Sequence, residues 1–157
     1  MPPSFQNHRA DLLPHRLVTC LMAVFLAFSI AACLLYGERL QGHWPEEQRI
    51  MIRTVLYIGA IVGLPLTNLI RFIQLRLNET IPGDKPAKQR YLLTVIVSMI
   101  LIESVGLAGL VMFLLGDGYN TLYIFTGLSA LGLFLYRPKP EEYSRICQAL
   151  EAKNKFY

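Results

Sequence analysis

The chain has 157 residues, 54% of them hydrophobic and only 17% charged, with a mean hydropathy of +0.40. A soluble domain of this length is more polar, so the composition argues against a soluble enzyme and for a polytopic membrane protein. The formal charge is +4. In a soluble chain that balance would point to nucleic acid, but here most Lys and Arg fall in the segments between apolar runs, where membrane topology places them.

Residues 1–16 form an N-terminal segment carrying Arg9 and Arg16. The first apolar run, "LVTCLMAVFLAFSIAACLLYG" at 17–37, is long and lacks a small-residue cleavage pattern, so a span rather than a removable signal is expected. The second span covers about 51–73, around "TVLYIGAIVGLPLTNLI", the third 91–115 and the fourth 119–136. A bilayer-crossing helix needs ~17–25 apolar residues, and backbone groups in lipid must be satisfied within the segment. The expected fold is therefore all-α: a four-transmembrane-helix bundle occupying 17–136, with a short amphipathic helix in the tail, 137–157.

The polar connections refine this. "GDG" between spans three and four is so short that the two helices must be antiparallel neighbours. The 71–90 connection reads as a helical extension of span two followed by a turn at Pro82, Gly83 and Pro86. Asn78 opens a glycosylation sequon that has no meaning on a cytoplasmic face. Twelve of the fifteen cations, at positions 9, 16, 71, 76, 85, 88, 90, 137, 139, 145, 153 and 155, lie on one predicted side, and Arg39, Arg49 and Arg53 on the other. Both termini are thus expected in the cytoplasm. Tyr36, Trp44, Tyr119 and Tyr136 sit where an interfacial aromatic belt would. Pro138 and Pro140 break the chain after span four, and Glu141 and Glu142 suit a new helix start. Tyr143, Ile146, Cys147 and Leu150 recur at helical spacing, which predicts a peripheral helix on the membrane or against the loop helix.

The residue with chemical promise is Glu103, the only ionisable group between Tyr91 and Gly116. A carboxylate at mid-bilayer costs ~3 kcal/mol on insertion scales. Apolar surroundings disfavour its charged form, so a neutral acid is expected at pH 7 when unpaired. Ser29, Thr126 and Ser129 are candidate hydrogen-bond partners at similar depth. So is the carbonyl near Ile61, freed because Pro65 lacks an N–H. Two readings follow: a proton or cation site, or a protonated acid acting as interhelical glue. Gly59, Gly63, Gly106 and Gly127, with Pro65, are expected at helix contacts. The scattered Cys20, Cys33 and Cys147 and the isolated histidines show no metal spacing or nucleophile–base arrangement. No metal, cofactor or enzymatic activity is expected.

"IESVGLAGLVMFLL" resembles the carboxylate helix of rotary ATP synthase c-subunits and vacuolar-type proteolipids. Glu103 matches the ion-carrying carboxylate, and Gly109, Leu110 and Val111 the "GLV" that follows it. Span two, a basic loop and span three form a hairpin of that kind over roughly 51–116. The chain is also similar to small four-helix bacterial membrane proteins with such a hairpin. The resemblance implies a multi-pass protein of the bacterial inner membrane, partnered by lipid and by copies of itself or other membrane subunits. Its role would be that of an accessory or structural subunit or, through Glu103, proton or cation translocation in an oligomer.

Overall fold

The computed structural model describes residues 12–81 and 86–154. Arg9, Pro82, Gly83, Lys85 and Lys155 lie outside the described residues. Five helices follow in order: α1 Leu13–Leu40, α2 Glu46–Thr80, α3 Ala87–Leu114, α4 Tyr119–Leu135 and α5 Pro140–Asn154. Pro45 and Pro86 stand immediately before α2 and α3, where a missing N–H is harmless. Glu46 and Glu47 in α2, and Glu141 and Glu142 in α5, occupy first turns, where negative charge complements the helix dipole.

Three segments are long and apolar enough to cross a bilayer: Leu13–Gly37, Glu46–Thr80 and Ala87–Leu114. The fourth expected span, α4, is not among these three. It is apolar but has only 17 residues, a rise of roughly 26 Å at 1.5 Å per residue, against a hydrocarbon core of ~30 Å. The proline at 138 and the turn after Leu135 end it early.

α3 is the central helix. Half of its apolar window is buried, against 11% for α1 and α2, and it packs on each of the other four helices. α1 also touches α4, and α2 also touches α5. The main core cluster gathers Leu12 and Leu26 of the α1 region, Tyr91, Val95, Met99 and Ile102 of α3, Leu133 of α4, and Tyr143 and Ile146 of α5. Smaller clusters join Cys33, Phe113 and Leu122, and Ala60, Val105 and Phe125.

Close approach of α3 to its neighbours rests on Gly106. A Cβ there would lie 2.6 Å from Leu26 Cδ1 and 3.0 Å from Ser129 Oγ. The other glycines expected at contacts behave differently. A Cβ on Gly59, Gly63 or Gly127 meets nothing within 4 Å, and Pro65 is exposed. Gly59, Pro65 and Gly127 are exposed and Gly63 is half-buried, while the buried residues of α2 are Ala60, Thr67 and Arg71. Gly109 and Gly132, against Phe125 and Ile102, are the further close contacts.

At one end of the bundle the α1–α2 connection is latched to the α3–α4 turn. Gly42 N–H donates to the Leu114 carbonyl at 2.7 Å and Gln41 Nε2 to the Asp117 carbonyl at 3.0 Å. Arg49 donates to the Gly116 carbonyl, and Arg53 Nη1 pairs with Asp117 Oδ1 at 3.2 Å. Gly116 has φ +93°, a left-handed conformation that side chains disfavour.

The tail helix is not peripheral. Tyr143 and Ile146 are buried at 4% and 0% exposure within the same cluster as Tyr91 and Met99. The two prolines redirect the chain so that α5 folds back onto α2 and α3. Each such side chain contributes ~1.5–3 kcal/mol on burial. Removing residues 141–157 is therefore expected to destabilise the detergent-solubilised bundle by ~3 kcal/mol or more, read as a lowered thermal midpoint. A midpoint equal to that of the full chain would place α5 outside the core.

Candidate functional site

Two polar sites lie along α3, and they differ in how their groups are satisfied. The first surrounds Arg71. This side chain is 5% exposed, and Nη2 pairs with Glu142 Oε2 of α5 at 2.6 Å. Nη1 donates to Ser98 Oγ of α3 at 3.3 Å, while Ser98 donates to the Thr94 carbonyl at 2.8 Å. The guanidinium carbon lies 5.9 Å from the ring centroid of Tyr136, within cation–π range. The Tyr136 hydroxyl is 3.5 Å from the Leu64 carbonyl, and its ring is half-buried.

Tyr91 closes the network. Its buried hydroxyl accepts from the Lys139 N–H at 2.8 Å and donates to Glu142 Oε2 at 2.9 Å, with the Lys139 carbonyl at 3.2 Å as an alternative acceptor. Beside it, the buried His15 ring lies 5.0 Å from Tyr91 and 6.2 Å from Tyr143 between centroids, with Nε2 3.3 Å from the Lys88 carbonyl. Asn78 Nδ2 donates to the Arg90 carbonyl at 3.2 Å and to Thr94 Oγ1 at 2.9 Å. The sequon asparagine is thus committed to tying α2 to α3. All five helices meet at this end.

The second site is Glu103. It is 5% exposed, and neither carboxyl oxygen has a hydrogen-bond partner. Of the expected partners, Ser29 donates to the Phe25 carbonyl at 2.9 Å and Thr126 to the Leu122 carbonyl at 2.7 Å. Both hydroxyls return to their own helices, as Ser and Thr commonly do. Ser129 is fully buried and its hydroxyl has no partner either. The Ile61 side chain is 69% exposed. Among the described residues the carboxyl makes no hydrogen bond to another helix. The helix that carries it brings it to the contact layer with α4: Ile102 meets Gly132 and Gly106 meets Ser129. No group of three or more metal-ligating side chains occurs among the described residues.

Sequence reasoning counted Arg71 as a loop cation and Glu142 as a dipole partner. The available signal was the inward stripe Ala60, Thr67 and Arg71, spaced at seven and four residues on one face of α2. A single cation on a buried stripe requires an acid, and the polar tail supplies one.

Comparison with family models, with curated proteins and with solved structures finds no match to this chain. The likeness of "IESVGLAGLVMFLL" to c-subunit helices rests on those residues alone.

Breaking a buried ion pair from one side costs ~3–5 kcal/mol, because the remaining charge stays uncompensated. Glu142→Ala is expected to destabilise the bundle by that order. Arg71→Leu in the same background should recover most of the loss. Additive behaviour in this double-mutant cycle, measured by thermal unfolding in detergent, would show that the pair does not hold α5.

Proposed function

We propose that the chain is a four-span protein of the bacterial inner membrane, with both termini in the cytoplasm, acting as a small accessory subunit that associates with copies of itself. The observation that carries this reading is an open groove of about 250 Å³ between α2 and α3, lined by Gly59, Gly63, Ser104 and Ala108 together with the buried Ala60 and Val105. Small residues facing outward let a second helix approach the backbone closely, the usual basis of association in lipid. α4 fits as the fourth span because it holds no charged residue and reaches the lower limit of spanning length. The basic end of the bundle, with α1 and α5 both at it, supports the orientation. A groove taken up by another membrane subunit is the neighbouring outcome.

Gly59→Leu and Gly63→Leu test the association, since a Cβ added at either position meets nothing of the chain within 4 Å. Both variants should keep the wild-type thermal midpoint of the monomer and weaken self-association by about ten-fold, or ~1.4 kcal/mol. The measurement is energy transfer between labelled copies in vesicles. Unchanged association would remove the groove from the interface.

The two unpartnered oxygens of Glu103 favour a second reading, in which this carboxyl takes up and releases a proton within an oligomer. Burying an unpaired polar group gives no return in stability, and intramembrane acids are functional by default. Glu103→Gln keeps the shape and cannot titrate. In reconstituted vesicles it should retain the wild-type thermal midpoint and lose proton flux. A flux equal to that of wild type, or none in either, would leave Glu103 without a transport role.

A further inference from the structure

At the basic end of the bundle, the first turns of α1 and the elbow between α4 and α5 enclose a crevice of about 720 Å³. Its walls present Arg16, Thr19 and Cys20 from α1, and Arg137, Lys139 and Glu141 from the elbow. None of the three cations is in an ion pair among the described residues. The one acid, Glu141, leaves the crevice with a surplus of two positive charges. The Thr19 hydroxyl donates to the His15 carbonyl at 3.3 Å, so it can only accept. The donors available to a ligand are the two guanidinium groups and the ammonium.

Below the crevice the surface changes character. Leu17, Val24 and Phe28 continue along the same side of α1 and are 67%, 64% and 70% exposed. Phe134, at the end of α4, is 61% exposed, and the Arg137 guanidinium lies 4.6 Å over its ring. The cations are thus held directly above an apolar band, at the depth where a headgroup meets its acyl chains. The N-terminal end of α5, the positive end of its dipole, opens onto the same space.

We propose that this crevice binds the phosphate of an anionic phospholipid from the cytoplasmic leaflet, with Arg16, Arg137 and Lys139 as the phosphate ligands and the α1 face receiving the acyl chains. Basic pockets between membrane helices on the cytoplasmic side are a recurrent form of lipid headgroup site. A free phosphate would be met by the same cations. The exposed apolar band directly below them selects the lipid, because a soluble anion gains nothing from it. The inference rests on the membrane placement of α1 and α4.

The full chain in detergent, titrated with a phosphatidylglycerol, a phosphatidylcholine of the same acyl chains, and inorganic phosphate, tests the site by lipid retention in native mass spectrometry. Wild type should retain phosphatidylglycerol at least ten-fold better than phosphatidylcholine, and phosphate should not displace it. Each neutralised cation should reduce retention about five-fold, the ratio that ~1 kcal/mol per basic residue represents. Arg16→Gln with Arg137→Gln should therefore lose it by about twenty-five-fold. Glu141→Gln should strengthen it. The control pair Arg76→Gln with Arg145→Gln removes the same charge from the same end but lies outside the crevice. It should leave the preference intact. Equal loss in both pairs, no lipid preference in wild type, or displacement by inorganic phosphate would each overturn the site. Failure of the chain to co-float with neutral vesicles would instead overturn the membrane placement on which it rests.

Discussion

A guanidinium shut away from water demands a counter-charge, and Arg71 has one acid within reach. Glu142 answers that demand from a helix that the sequence reads as surface material. The same carboxylate oxygen accepts from Tyr91, whose hydroxyl in turn takes the amide proton of Lys139. One oxygen therefore sets the position of α5 and helps fix the elbow that leads into it. The aromatic layer of His15, Tyr91 and Tyr143 packs alongside. Because α3 supplies Tyr91 and Ser98 to this network, it is held at its basic end by polar bonds and along the rest of its length by packing.

That division of labour makes Glu103 conspicuous. Ser98 lies five residues before it on the same helix and has both a donor and an acceptor assigned. Glu103 is equally buried and has neither. The difference is one of surroundings. Near the basic end, long cationic and aromatic side chains reach inward from α2, α4 and the tail. On either side of Glu103, α3 and α4 meet through Gly106 against Ser129 and Ile102 against Gly132. Tight contact between α3 and α4 is achieved there by removing side chains, which also removes partners.

The helical segments were legible because hydrophobic run length is a direct consequence of bilayer thickness, and α1, α2 and α3 contain the runs expected for them. The faces were harder to read. α1 is apolar nearly all round, so periodicity does not mark which side turns inward, and in α2 Gly59 and Gly63 look like internal contacts from their spacing alone. The true close contact, Gly106, stands in a helix with the same apolar character, and only its neighbours Leu26 and Ser129 distinguish it. Of the two placements expected for the tail, on the membrane or against the loop helix, α5 takes the second, packing on α2 and also on α3. Prolines at 138 and 140 do break the helix, but a break is also how a chain reverses, and Tyr143 and Ile146 at helical spacing enter the core. Glu103 was visible as an anomaly from sequence alone. Its lack of partners was not, since Ser29 and Thr126 have the right chemistry and depth but bond their own helices.

Glu142 follows Arg71 by 71 positions. A chain emerging from the ribosome inserts α1, α2 and α3 in that order, and domains made first begin to fold first. During that interval Arg71 has only Ser98 and the ring of Tyr136 to turn to, and the pocket for Tyr143 and Ile146 stands open to water. The bundle reaches its closed form only when α5 arrives. Synthesis of α5 thereby becomes part of the folding reaction, and a nascent chain stalled before α5 displays an unmet positive charge and an uncovered apolar surface at this end of the bundle.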